Sequence, residues 1–390
     1  MTRSIWMTAW DLEGREPDEL IDRLQGYGLN ACNLAFSYHG GRMLMPLNSR
    51  RVVYEHHPGA LYYPADLSRY RGALRPVVAP QAALVRQFLE ACQGRRFPVH
   101  AWTVLCHNDY LGSLAPDCCI ENVFGERYTY ALCPSNPDVQ RYVVTLCADI
   151  AAVPGVSGLD LEALSFLGYK HLSLHDKRGV SLTPEITWLL SICLCTHCRE
   201  ALGAASDEIK SKARGTIRKY LDKGPSEPGG PLEADLRRTL GRDVLAALLE
   251  MRRCAQLRLL SQVREACGST PLNLRLATDP LFCGGKSTLA WTDLKSRVDA
   301  ATVSFFGAPT ERMAQELRRL PQPAQRPIPV YGGIVFHGPD CAHEQDVGDR
   351  LDLLRGSAVD GAIFYSFSMA SRRCFDWLRR TLKGVNSWAI

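Results

Sequence analysis

The chain has 390 residues, 46% apolar and 22% charged, a balance that can bury a sizeable core and excludes an intrinsically disordered chain. Its 46 basic and 41 acidic residues leave a formal charge of only +5, with Arg interleaved among Asp and Glu, so no nucleic-acid partner is expected. The opening stretch from Met1 to Asp11 carries a single Arg and too short an apolar run for a leader, and no later segment is apolar enough to span a bilayer. A soluble cytoplasmic protein with no membrane partner is therefore expected.

In chain order, β-type runs occur at 4–10, 31–38, 98–106, 156–162, 271–279, 300–307, 328–336 and 361–367. Between them, 17–26, 80–93, 136–152, 310–320 and 346–355 carry the apolar spacing of helices. Pro17-Asp18-Glu19 and Ser135-Asn136-Pro137 supply helix starts, with Pro in the first turn. Strand and helix alternating in this way predict an α/β fold, a (β/α)8 TIM barrel forming a single domain over 1–390. A doubly wound open sheet would need a Gly-rich phosphate loop after the first strand, and Trp10-Asp11-Leu12-Glu13-Gly14 is not one.

Two connections exceed a plain loop: 39–97, a loop-rich insertion after the second strand, and 163–270, a mainly helical insertion after the fourth. Both leave C-terminal strand ends, the face where barrels do chemistry, so both should wall a substrate cleft. The Gly- and Pro-rich stretch from Gly224 to Pro231 reads as a hinge within the second.

The fourth run, Val156-Ser157-Gly158-Leu159-Asp160-Leu161-Glu162, is the most informative segment. Side chains alternate across a strand, so Asp160 and Glu162 share one face and Leu159 and Leu161 the other. Leu outward and carboxylates inward suit a barrel; the plainer reading is a charged pair at a solvated strand end. Glycoside hydrolysis uses one carboxyl as acid and a second carboxylate as nucleophile or base. Glu162 is the candidate acid, with Asp160 tuning it through a neighbouring charge, and Asp279 or Asp11 is the candidate opposing carboxylate.

Other strand ends collect polar and aromatic side chains suited to a sugar, whose hydroxyls need charged partners and whose C–H faces stack on rings. These are Trp10, Asp11, Tyr38, His39, Trp102, His107, Asn108, His337 and Tyr365. Tyr169, His171 and His175 follow the fourth strand closely enough to reach over a cleft. Arg42, behind Gly40-Gly41, offers a cation to an acidic sugar or a partner to a nearby carboxylate. No Gly-x-Ser-x-Gly elbow appears, so a serine nucleophile is not expected.

Gly158-Leu159-Asp160-Leu161-Glu162 resembles the fourth-strand motif of chitinase-type barrel glycoside hydrolases. That likeness implies that Glu162 is the acid and Asp160 its helper. Gly158 stands where that pattern has another Asp, and Val303-Ser304-Phe305-Phe306-Gly307 lacks its Tyr-Asp pair. More broadly, Leu132-Cys133-Pro134-Ser135-Asn136-Pro137-Asp138-Val139, the Asp/Glu strand and Cys193-Leu194-Cys195-Thr196-His197-Cys198-Arg199 are together similar to poorly characterised bacterial glycoside-hydrolase-like barrels. This implies a carbohydrate-active fold without fixing a substrate.

The 15 Cys residues include Cys32, Cys92, Cys106, Cys147 and Cys254 inside apolar segments, which fits buried reduced thiols. Cys193, Cys195 and Cys198 offer three thiolates to a structural zinc, with His197, Cys254 or a distant residue as fourth ligand, or else they simply pack the insertion. No other cofactor is required. The expected activity is a glycosidase. Its alternatives are a metal-dependent sugar isomerase or epimerase using Glu162, Asp279 and His ligands, and a non-catalytic carbohydrate-binding barrel. The last is suggested by Tyr331-Gly332-Gly333-Ile334-Val335-Phe336-His337, which has no Glu on the seventh strand.

Overall fold

The structure is a computed structural model describing residues 2–171, 177, 179–224, 230–357 and 359–383. Eight strands form its centre: β1 (Thr2–Met7), β2 (Ala31–Leu44), β3 (Val99–Val104), β4 (Val156–Glu162), β5 (Leu272–Arg275), β6 (Ala300–Ser304), β7 (Val330–Val335) and β8 (Gly361–Tyr365). Each pairs in parallel with the next, and β1 also pairs in parallel with β8 through Ile5 opposite Phe364. The ring is therefore closed, with helices between the strands: the (β/α)8 TIM barrel that the sequence predicts.

Amphipathic helices cover the ring. Pro17–Gly26 opens with Pro and two acids and turns Leu20, Ile21 and Leu24 inward. Pro137–Ala151 is capped by Asn136, whose side chain accepts from the amides of Asp138 (2.8 Å) and Val139 (3.4 Å). It buries Val139, Val143, Leu146 and Ile150, each worth about 1.5–3 kcal/mol when fully removed from water. No helix among the described residues is long and apolar enough to cross a membrane.

Several element ends differ from the sequence reading. The first strand stops at Met7, and Ala9–Leu12 forms a 3-10 turn held by Asp11, so Trp10 belongs to a turn. The second strand continues past Tyr38 and folds back on the strand Val53–Leu61, so 39–97 begins as a β-hairpin and not as loop. The fifth strand ends at Arg275, four residues short of Asp279, because Leu276 already turns to bridge Ser287. Among the described residues five helices lie between β4 and β5, and the last, Arg242–Cys267, packs on Pro137–Ala151. The stretch 163–270 thus contains a helix that covers the ring, besides the helices Pro184–Leu190, Thr196–Leu202, Ala205–Lys223 and Leu232–Leu240. Most of the Gly224–Pro231 stretch lies outside the described residues.

Candidate active site

Asp160 projects into the ring and is fully buried. Its Oδ2 accepts from Trp6 Nε1 on β1 (2.6 Å) and Asn33 Nδ2 on β2 (2.8 Å), and its Oδ1 accepts from Asn273 Nδ2 on β5 (3.1 Å). The layer continues through Ser4 Oγ, which donates to Asn33 Oδ1, and through Asn273 to Thr302 on β6. A buried carboxylate survives only with such complete pairing. Asp160 is thus the polar tie of five strands, one pleat beneath the mouth.

Glu162, two residues on, shares that inward face and stays partly exposed, with 16% of its side chain accessible. Trp102 Nε1 on β3 donates to its Oε2 at 2.5 Å, and Arg275 Nη1 at the end of β5 meets the same oxygen at 2.8 Å. Both contacts fall on Oε2. Oε1 faces Gly285, where even a methyl group would touch it at 3.4 Å.

Arg275 was not singled out by sequence reasoning, although Leu272-Asn273-Leu274-Arg275 alternates just as the fourth strand does. Its guanidinium lies over the rings of Trp6 (4.4 Å) and Trp102 (5.0 Å) and reaches Asp160 Oδ2 at 3.6 Å. The planar cation is therefore held by two aromatic faces and two carboxylates. Lys286 is a second unanticipated cation. It lies beside Glu162 and Arg275, donates to the Ser304 carbonyl at 2.5 Å, and burial pushes its ammonium down to about 8.

Further aromatic rings pack around Trp6 and Trp102, the two rings that hold Arg275. Tyr38 meets Trp102 edge-on at 4.8 Å, Phe306 lies 4.7 Å from Tyr365, and Trp102 lies 6.2 Å from Tyr365. Burial, then Tyr365 and the Glu162 charge, pushes the Tyr38 hydroxyl well above its usual range, so it stays a neutral donor.

A histidine group forms the adjoining wall. His39 stacks on His107 (4.1 Å, 13° between planes), and His171 Nε2 lies 3.2 Å from His107 Nδ1. Burial lowers His171 to about 4 and His107 well below its ordinary value, with the neighbouring imidazoles adding to both. The rings of His107 and His171 are therefore neutral at pH 7. A methyl group on Gly285 would touch His171 Cε1 and Glu162 Oε1 at 3.4 Å each, so the glycine keeps open the space between them.

Other sequence candidates lie apart from this constellation. Asp279 is exposed, its Oδ1 accepting from the Leu281 amide at 2.9 Å in a turn beyond β5, because the strand ends before reaching it. Asp11 is buried between β1 and β8, accepting from Thr8 N, Thr8 Oγ1 and Ser368 Oγ, and burial lifts its carboxyl to about 6. Trp10 is wholly buried and stacks on His56 at 4.6 Å, which leaves no face for a sugar. Asn108 caps the helix Asp109–Leu114, accepting from Leu111 N. Arg42 is exposed on the hairpin opposite Glu55. His337 Nε2 accepts from Ser366 N at 3.3 Å, and burial lowers its pKa. Tyr169 is part-buried near Tyr128, and His175 lies outside the described residues.

Of the thiols, Cys254 is exposed and not buried, lying on the outer side of its helix. Cys193, Cys195 and Cys198 are buried together, and the residue that joins them is Cys133, neither His197 nor Cys254. His197 instead faces Glu200 at 3.7 Å.

No family model and no curated protein matches the sequence. Solved structures do match. Alpha-L-fucosidase isoenzyme 2 from Paenibacillus thiaminolyticus aligns over 99% of this chain with a TM-score of 0.58 and 12% identity; the chain spans about half of that protein, 49%. The PgaB (BpsB) glycoside hydrolase domain from Bordetella bronchiseptica aligns over 98% of this chain and 99% of its own length, with a TM-score of 0.56 and 13% identity. Beta-galactosidase from the psychrophilic Marinomonas ef1 aligns over 98% of this chain and 59% of its own, with a TM-score of 0.54 and 8% identity. The chain shares the barrel fold of these glycoside hydrolases.

Proposed function

We propose that this chain is a glycoside hydrolase in which Glu162 is the general acid/base. The observation that carries the reading is the one-sided pairing of Glu162: Trp102 and Arg275 hold Oε2, while Oε1 faces the gap kept by Gly285. A general acid needs an anchored carboxyl with one free oxygen within reach of the leaving group. The Arg275 guanidinium is placed to balance the negative charge that Glu162 carries once its proton has gone to the glycosidic oxygen. Tyr365, part-buried beside Trp102, offers a ring face and a hydroxyl to a sugar, as Lys286 and His171 offer polar contacts. The glycosidase names of the structural neighbours agree with this chemistry.

Asp160 acts indirectly, fixing Trp6, Asn273 and Arg275 beneath Glu162. For the opposing carboxylate the sequence candidate Asp279 is retained, on the segment that returns to Gly285 although it lies apart from Glu162 in this structure. Retention needs a separation of about 5–5.5 Å between the two carboxyls, and inversion about 6.5–9.5 Å. The isomerase reading has less support, because the potential metal ligands that converge among the described residues are cysteines and not the mouth residues. Screening aryl glycosides and oligosaccharides for hydrolysis tests the proposal. Oligosaccharide binding without turnover would replace it with a binding barrel.

A further inference from the structure

Four cysteines from two separate connections meet in the wall of the barrel mouth. Cys133 follows the short strand Arg127–Leu132, in the connection after β3. Cys193 and Cys195 lie between the helices Pro184–Leu190 and Thr196–Leu202, and Cys198 lies in the first turn of the second, all in the connection after β4. All four are buried, and their sulfur atoms lie within 4.8 Å of one another. Cys133 Sγ is 3.6 Å from Cys198 Sγ, 3.7 Å from Cys193 Sγ and 3.6 Å from Cys195 Sγ. Disulfide sulfurs would sit about 2.05 Å apart, whereas four thiolates at about 2.3 Å from one tetrahedral zinc are spaced by about 3.8 Å. The observed spacings fit the second case.

We propose that Cys133, Cys193, Cys195 and Cys198 bind one structural zinc ion, which clamps the connection after β3 to the connection after β4. The joined segments also meet through Leu194 N to Glu121 O (2.7 Å) and through Tyr128 OH, which donates to Leu190 O (2.8 Å). Both lead to the histidine wall. Asn108 N, next to His107, donates to Tyr130 O at 3.0 Å, and Tyr130 OH donates to Gly168 O, the same carbonyl that accepts from His171 N. The zinc therefore fixes the frame on which His107 faces His171. With four protein thiolates the coordination is closed, so the ion is structural and holds no position for water or substrate.

The test is elemental analysis of the full chain purified under reducing conditions. The expected result is about one zinc per chain. Cys133→Ser should lower this at least five-fold, while Cys254→Ser, at an exposed cysteine, should leave it unchanged. Because Cys133→Ser can fail to fold, the wild-type protein is also exchanged with cobalt(II), which should give the ligand-field absorption of a tetrahedral thiolate complex. Removing zinc should then raise amide exchange in 119–132 and 190–199 more than in the barrel strands. Wild-type protein with far less than one zinc, iron in its place, or no thiolate–cobalt spectrum would overturn the site; unchanged exchange after zinc removal would overturn the clamp.

Discussion

Arg275 Nη1 lies 2.8 Å from Glu162 Oε2, so the cation at the end of the fifth strand orients the carboxylate at the end of the fourth. The same guanidinium neighbours Asp160, and both Arg275 and Asp160 are buried. Removing one partner of a buried charge group costs about 3–5 kcal/mol, because the remaining charges lose their compensation. Arg275→Met is therefore expected to lower unfolding stability by about that amount. Arg275→Lys, which keeps the charge but loses the planar fork, should fall between. Urea unfolding of both variants checks this; a loss under about 1 kcal/mol for Arg275→Met would mean that the group is not coupled as described.

Gly285 gives a test of the cleft that leaves the charges untouched. Its added methyl would meet Glu162 Oε1 and His171 Cε1 at 3.4 Å, an ordinary van der Waals contact. Gly285→Ala should fold with stability within about 0.5 kcal/mol of the parent. It should nevertheless raise KM or abolish turnover by occupying the space beside Oε1. Unimpaired kinetics on a competent glycoside would place substrate elsewhere.

The fourth strand carried most of what the sequence could tell about the site. Alternation alone put Asp160 and Glu162 on one face, because the period of two is a property of the strand. The partner of Glu162 was less legible. Arg275 obeys the same alternation, but strand register, which brings Leu161 opposite Leu274, is set by pairing across more than a hundred residues. Asp279 and Trp10 were misplaced because strand ends are decided by competing local bonds. Asp11 turns the chain at Thr8, and Leu276 turns to Ser287. The fourth cysteine was hidden for a similar reason: Cys133 joins a cluster sixty residues away only once two connections fold against each other.

Buried ionisable groups make stability depend on pH with opposing signs. His56 has a pKa near 4, depressed from 6.5 chiefly by burial. As pH falls through 6.5 towards 4 the unfolded chain takes a proton that the folded chain refuses, so stability is lost. Asp11, raised from 3.8 to about 6, acts the other way: the folded chain holds the extra proton between those values, and stability falls as pH rises through them. His107 and His171 share the direction of His56, so the histidines should dominate and the protein should weaken below pH 6. His56→Phe, which keeps the stacking on Trp10, should recover roughly 2 kcal/mol at pH 5 relative to pH 7.5. Thermal unfolding at the two pH values measures this; an equal change at both would remove His56 from the acid response.

Lys286 sets an expected upper limb for activity. Its ammonium, pushed down to about 8, loses its charge as pH rises through that value. If it contacts substrate, KM should rise above pH 8. Lys286→Arg, which remains charged, should flatten that limb. An identical alkaline profile in the variant would show that Lys286 supports only the Ser304 backbone.

Glu162→Gln is the most direct test of the central claim, since the amide preserves size and polarity but cannot deliver the proton. On the best glycoside found for the parent, kcat is expected to fall by about 100-fold or more, the typical share of a general acid, while KM and the unfolding midpoint change little. Equal turnover by the two proteins would contradict the account.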